Sequence, residues 1–195
     1  MSLQFDDLQD IAEAMTVKGK GILAADESNP TCKKRFDSIN VDSNEQNRNI
    51  YRDMLFTTEG MNDFISGVIL YDETIRQTTM QGDVPFPDFL SNLGVIPGIK
   101  VDAGAKDLVG MDGEKVTEGL DGLDERLKEY YSLGARFAKW RAVISIGDIE
   151  PSTTCISANA HALARYASVC QQNGIVPIVE PEILMDGAHT IEESF

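Results

Sequence analysis

Cysteine and histidine are scarce in this chain, with three and two copies in 195 residues. Cys32, Cys155 and Cys170 are odd in number and show no CxxC spacing. A structural zinc site or a secreted disulfide framework is therefore not expected, and a reducing compartment is the default. His161 and His189 each lack a second histidine at metal-ligand spacing, so no metal is expected. Basic residues are short as well: 17 Lys and Arg against 32 Asp and Glu give a formal charge of −15. That balance argues against nucleic acid or an anionic membrane as partner, since both want a basic face. No apolar run approaches membrane-spanning length. The opening residues Met1-Ser2-Leu3-Gln4-Phe5-Asp6-Asp7 lack the basic and apolar regions of a signal peptide. A cytoplasmic protein is the expectation. Walker A, HExxH and EF-hand patterns are all missing.

What is present is a set of short apolar runs that each end near a charge. A content of 42% hydrophobic residues suits a soluble globular core. Strand candidates fall at 21–26, 65–71, 96–101, 136–144 and 175–180, rich in Val and Ile and apolar on both faces, as parallel strands beneath helices should be. Between them lies helical punctuation. Asn29-Pro30 reads as N-cap and first helical residue. Ser43-Asn44-Glu45-Gln46 reads as a capping box, followed by Ile50, Tyr51, Met54 and Leu55 on one face. Leu120, Leu123, Leu127 and Tyr130 recur at helical spacing. A helix starting near Ser152 carries Ile156, Ala160, Leu163 and Ala167, and Asn173-Gly174 supplies its stop. Residues 81–95 and 102–118, rich in Gly, Asp and Pro, read as long loops. Strand–helix alternation of this kind predicts an α/β fold on a parallel sheet.

An ionised side chain in a buried strand is costly unless something there uses it. Asp26, Lys100, Lys139, Arg141 and Glu180 all break the rule at strand-like ends. Residues two apart on a strand share a face, so Lys139 pairs with Arg141, Glu180 with Glu182, and Lys100 with Asp102. Singly, each charge is as well explained by an interior ion-pair network. Together they point to one site. Lys and Arg bind phosphate or carboxylate; a shielded Lys near other cations is a plausible amine nucleophile; a carboxylate beside it can move protons. Such groups suit carbon–carbon chemistry on a phosphorylated ketone. A loose dinucleotide pattern, Gly19-Lys20-Gly21-Ile22-Leu23-Ala24, precedes a strand instead of following one, which argues against cofactor binding there.

Five stretches resemble class I fructose-bisphosphate aldolase, the imine-forming, metal-independent type. They are Gly-Lys-Gly-Ile-Leu-Ala-Ala-Asp-Glu-Ser (19–28), Gly-Ile-Lys-Val-Asp (98–102), Gly-Leu-Asp-Gly-Leu (119–123), Ala-Arg-Phe-Ala-Lys-Trp-Arg (135–141) and Ile-Val-Pro-Ile-Val-Glu-Pro-Glu-Ile-Leu (175–184). The resemblance implies a TIM (β/α)8 barrel, usually a homotetramer, that reversibly cleaves fructose 1,6-bisphosphate without a cofactor. It implies that Asp26 handles the hydroxyl whose deprotonation breaks the carbon–carbon bond, that Lys139 assists imine formation, and that Glu180 is a general acid/base. Lys100 and Arg141 would shape the pocket's positive field, Lys34 and Arg35 would help hold a phosphate, and Glu182 would support. The family's imine lysine lies on a sixth strand, beyond residue 195. About five βα units are expected here, one barrel domain over 1–195 that is cut short, and inactive alone. A catalytically incompetent fragment that binds sugar phosphate weakly, or joins full-length subunits, is the alternative. The residues leave a cytosolic or plastid home open.

Overall fold

The structure, a computed structural model, describes residues 7–195; the reading of the first six residues lies outside that range. In chain order the elements are α1 (Leu8–Met15), β1 (Gly21–Ala24), α2 (Asn29–Asp37), α3 (Glu45–Phe56), α4 (Met61–Phe64), β2 (Ile65–Leu70), α5 (Asp72–Ile75) and α6 (Phe86–Asn92). There follow β3 (Ile96–Lys100), β4 (Ala105–Asp107), β5 (Lys115–Thr117), α7 (Leu123–Ser132), β6 (Phe137–Ile144), α8 (Thr153–Gln172), β7 (Val176–Ile183) and α9 (Ile191–Ser194). All five strand-like runs became strands of one sheet, in the order β1-β2-β3-β6-β7. Every pairing in it is parallel. This is a curled, incomplete TIM barrel.

The alternation of strand side chains divides the sheet into two faces. Leu23, Val68, Leu70, Ile99, Ala138, Trp140 and Ala142 point outward into the main core with Phe56, Phe86, Leu127 and Tyr166 from the helices. Each fully buried side chain of this size contributes roughly 1.5–3 kcal/mol. The concave face starts with a smaller apolar layer of Ile69, Ile96 and Phe137, closed from below by Ile11 and Met15 of α1. Gly98 belongs to this layer: a Cβ there would lie 2.3 Å from the Phe137 ring. Above the apolar floor, at the carboxyl ends of the strands, stand the charged residues.

Several local expectations shift. Residues 81–95 hold α6, because Pro85 and Pro87 start a turn whose Phe86 and Leu90 are fully buried. Residues 102–118 hold the β4–β5 antiparallel hairpin. Ser28, not Asn29, is the N-cap of α2. Asn44, not Ser43, caps α3 by accepting from the Asn47 amide. On α3 the inward residues are Arg52 and Phe56, while Ile50 and Met54 are 44% and 57% exposed. The apolar pattern misled because Glu27 gives Arg52 a partner that lets a charged side chain go inside. Leu120 precedes α7, whose N-cap Gly122 has φ of 62°; Leu123, Leu127 and Tyr130 are buried as expected.

On α8, Ser152 caps the helix by accepting from the Cys155 amide. The buried stripe runs through Cys155, Asn159, Ala162, Leu163, Tyr166 and Cys170. Asn159 goes inside because its amide donates to Lys115 O at 2.9 Å and accepts from the Thr117 amide at 3.2 Å. Ile156, Ala160 and Ala167 instead border an apolar groove of about 380 Å³ with Val179 and Pro181 of β7. Strand β7 is the last in the sheet. Val176 and Leu184 donate their amides to Arg136 and Ile144 on the β6 side, and Pro177 and Pro181 occupy alternate positions.

Candidate active site

Three strands deliver the central cluster. Lys139 of β6 places Nζ 3.2 Å from Asp26 Oδ2 and 3.6 Å from Glu180 Oε2. Asp26 follows the buried Ala25 just past β1, and it is itself buried. Glu180 comes from β7. The backbone register sets Arg141, not Lys139, beside Glu180. The side chains cross that register diagonally: Lys139 reaches Glu180, and Arg141 reaches on to Glu182, with Nη2 2.7 Å from Oε1 and Nε on Oε2. The second cluster sits beside the first. Lys100 of β3, in register with Lys139, holds Asp102 Oδ1. Asp102 also accepts from the Gly104 amide at 3.0 Å and the Arg141 amide at 3.4 Å.

Asp26, Lys100, Lys139 and Arg141 line one cavity of about 470 Å³, with Asp102 and Tyr71 on its wall. Ser28 and Thr31 reach it from the start of α2, their hydroxyls 3.0 Å apart. A helix start offers unpaired amides and a partial positive charge, which favour an anion. One cavity thus holds a helix start together with Lys100, Lys139 and Arg141, with Asp26, Glu27 and Asp102 among them.

Electrostatics separate the carboxylates. Burial pushes Glu180 above its ordinary value of 4.5, and Lys139 only partly offsets this. Glu182 moves down, first through its hydrogen bonds from Arg141. Burial raises Glu27, but Arg52, its own backbone amide and Arg35 outweigh that and hold it below the ordinary value. Arg141 is raised, chiefly by Glu182, and stays a permanent cation.

The structure thus brings together Asp26, Lys100, Lys139, Arg141, Glu180 and Glu182. It does not bring Lys34 and Arg35 into the cavity: both are exposed on α2, and the Arg35 guanidinium is taken by Glu27 and by Tyr51 Oη at 3.2 Å. Sequence reasoning left out Ser28, Thr31, Tyr71 and Asp102. Two of these had a signal: Ser28 ends the 19–28 motif, and Asp102 shares a strand face with Lys100. Among the described residues, no group of three or more His, Cys, Asp or Glu could hold a metal ion. No helix among the described residues is long and apolar enough to cross a membrane.

The family model for class-I fructose-bisphosphate aldolase of glycolysis matches residues 7–195. The chain belongs to that family. A probable fructose-bisphosphate aldolase class 1 of Xanthomonas campestris pv. campestris is 58% identical over 193 residues, which are 99% of this chain and 58% of the relative. The cytosolic fructose-bisphosphate aldolase 4 of Arabidopsis thaliana is 59% identical over 175 residues, 90% of this chain and 44% of its own length. Among solved structures, the Plasmodium falciparum fructose-bisphosphate aldolase, crystallised with TRAP and a small-molecule inhibitor, superimposes with a TM-score of 0.92 at 52% identity. It covers 99% of this aldolase chain, which in turn covers 57% of it. The chain therefore spans about half the length of its aldolase relatives.

Proposed function

We propose that this chain supplies the acid–base and anion-binding part of an aldolase site, in which fructose 1,6-bisphosphate is reversibly cleaved to dihydroxyacetone phosphate and glyceraldehyde 3-phosphate. The supporting observation is Lys139 between Asp26 and Glu180, with Lys100 and Arg141 on the same cavity. In this reading Asp26 takes the proton from the substrate hydroxyl next to the bond that breaks. The electron pair of that bond then moves toward the carbonyl carbon, where an imine is the sink. Lys139 holds protons at the nitrogen of the forming adduct, and Glu180, with its raised affinity for a proton, donates and recovers them. Lys100, Ser28 and Thr31 bind one phosphate, and Arg141, steadied by Glu182, keeps the opposite wall positive. The amine that forms the imine comes from a sixth strand that adds at the β7 edge. Lys34 and Arg35 stand outside the cavity and are left out of this cradle. Homotetramer formation and a cytoplasmic home, as for the relatives named cytosolic, complete the reading.

The test is binding and trapping. Fructose 1,6-bisphosphate added to this chain should perturb NMR signals of Lys100, Lys139 and Arg141, and borohydride should leave no stable adduct on it. Absence of any perturbation at these three residues sinks the reading. A trapped adduct at Lys139 would make that residue the nucleophile and overturn the assisting role given to it.

A further inference from the structure

Between β1 and α2 the chain crosses four residues, Ala25 to Ser28, that belong to neither element. The Ala25 amide donates to Ile69 O at 3.1 Å, the last tie to the sheet, and α2 begins at Asn29. Past the strand end, Asp26 turns to Lys139 in the cavity, while Glu27, which borders the same cavity, reaches back to Tyr51 and Arg52 of α3. There Arg52, 2% exposed, grips residue 27 twice: Nη1 reaches Glu27 Oε2 at 2.5 Å, and Nη2 reaches the Glu27 carbonyl at 2.9 Å. Tyr51 Oη adds a bond to Glu27 Oε1 at 3.1 Å, and Arg35 adds its guanidinium. Arg52 also points Nη2 at Cys32 Sγ of α2, 3.7 Å away. Its Nε is buried without a partner, a desolvation cost that simple pairing does not explain.

We propose that Arg52 is a positioning residue for the site: by holding both the side chain and the carbonyl of Glu27, it fixes the peptide that aims Asp26 at Lys139. The planar guanidinium makes the two contacts from two separate nitrogens; a lysine ammonium keeps the charge but not that fixed two-point geometry. The proposal rests on the reading of Asp26 as a reacting group, and it assigns a role to a residue 26 positions away on another element.

Lys139 reports the outcome through its reactivity toward an amine reagent, quantified by peptide mass spectrometry, because an amine released from a carboxylate partner is freer to react. Asp26→Asn should raise labelling of Lys139 about fivefold, Arg52→Lys should do the same, and the double variant should show no more than either single change. That non-additivity is the signature of action through Asp26. No rise in Arg52→Lys, or a further rise on the Asp26→Asn background, overturns the proposal. Thermal unfolding checks that each variant folds. Should Arg52→Lys not fold, Glu27→Gln, which keeps Arg52 and its carbonyl contact, replaces it in the same cycle. None of these measurements uses a ligand, so their failure is distinct from a failure of sugar-phosphate binding.

Discussion

Lys100 and Lys139 are partners in the β3–β6 register, yet their ammonium groups take different carboxylates, Asp102 and Asp26. Two like charges on neighbouring strands would repel if left alone. Here each is tied to its own acid, which offsets that repulsion.

Replacing Lys139 with Met should remove the cation that Asp26 and Glu180 share. Both acids then face each other across a half-buried gap, and stability should fall by about 2 kcal/mol at neutral pH. Urea unfolding measures it. The deficit should shrink in acid, where Glu180 takes up its proton; an unchanged deficit would count against the shared-cation picture.

Asp102→Asn should act on geometry more than on bulk. The variant keeps the shape but weakens three acceptances, from Lys100, the Gly104 amide and the Arg141 amide. A loss of roughly 1–3 kcal/mol is expected, together with weaker binding of inorganic phosphate followed by calorimetry.

Acid should destabilise the fold through Glu27 and Glu182. Both have folded values below the ordinary 4.5. Their contribution is thus fully present above 4.5 and lost as pH falls through the lower folded value. Glu180 runs the other way: raised in the fold, it stabilises below 4.5 and loses that contribution as pH climbs through its folded value. Thermal midpoints across this range should therefore fall less steeply in Glu182→Gln than in the parent chain.

Gly98→Ala tests the floor of the site. The new methyl meets a Phe137 ring that is fully buried and has nowhere to swing. Overpacking of this kind costs about 1–3 kcal/mol. Phe137 lies two residues before Lys139 on the same face, so the variant should also disturb the Lys139–Asp26 contact, visible as faster amine labelling.

Much of this arrangement was legible in the residues. Short apolar runs located all five strands, because parallel strands are covered on both faces, and in four of them a charge near the end stood out. Parity along β6 placed Lys139 and Arg141 together and sent Trp140 to the helices. Parity says nothing of partners across strands, so the diagonal crossing of Lys139 to Glu180 and Arg141 to Glu182 could not be read. The resemblance offered Arg35 with Lys34 as a phosphate ligand; the engagement of Arg35 by Glu27 is a tertiary fact that no local pattern carries. Arg52 was invisible because hydropathy scores a buried, paired guanidinium as a surface residue.

Prolines at 177 and 181 of β7 carry a consequence for the outer rim of the sheet. Even-numbered residues there spend their amides on β6, so the odd-numbered ones would offer theirs to whatever comes alongside. Two of those odd positions have no amide hydrogen to offer. The rim thus keeps its carbonyls but is stripped of half its donors, and a newcomer must bring its own N–H groups at matching heights. An arbitrary extended peptide finds poor purchase on such an edge, whereas a strand of fitting pitch can still latch on.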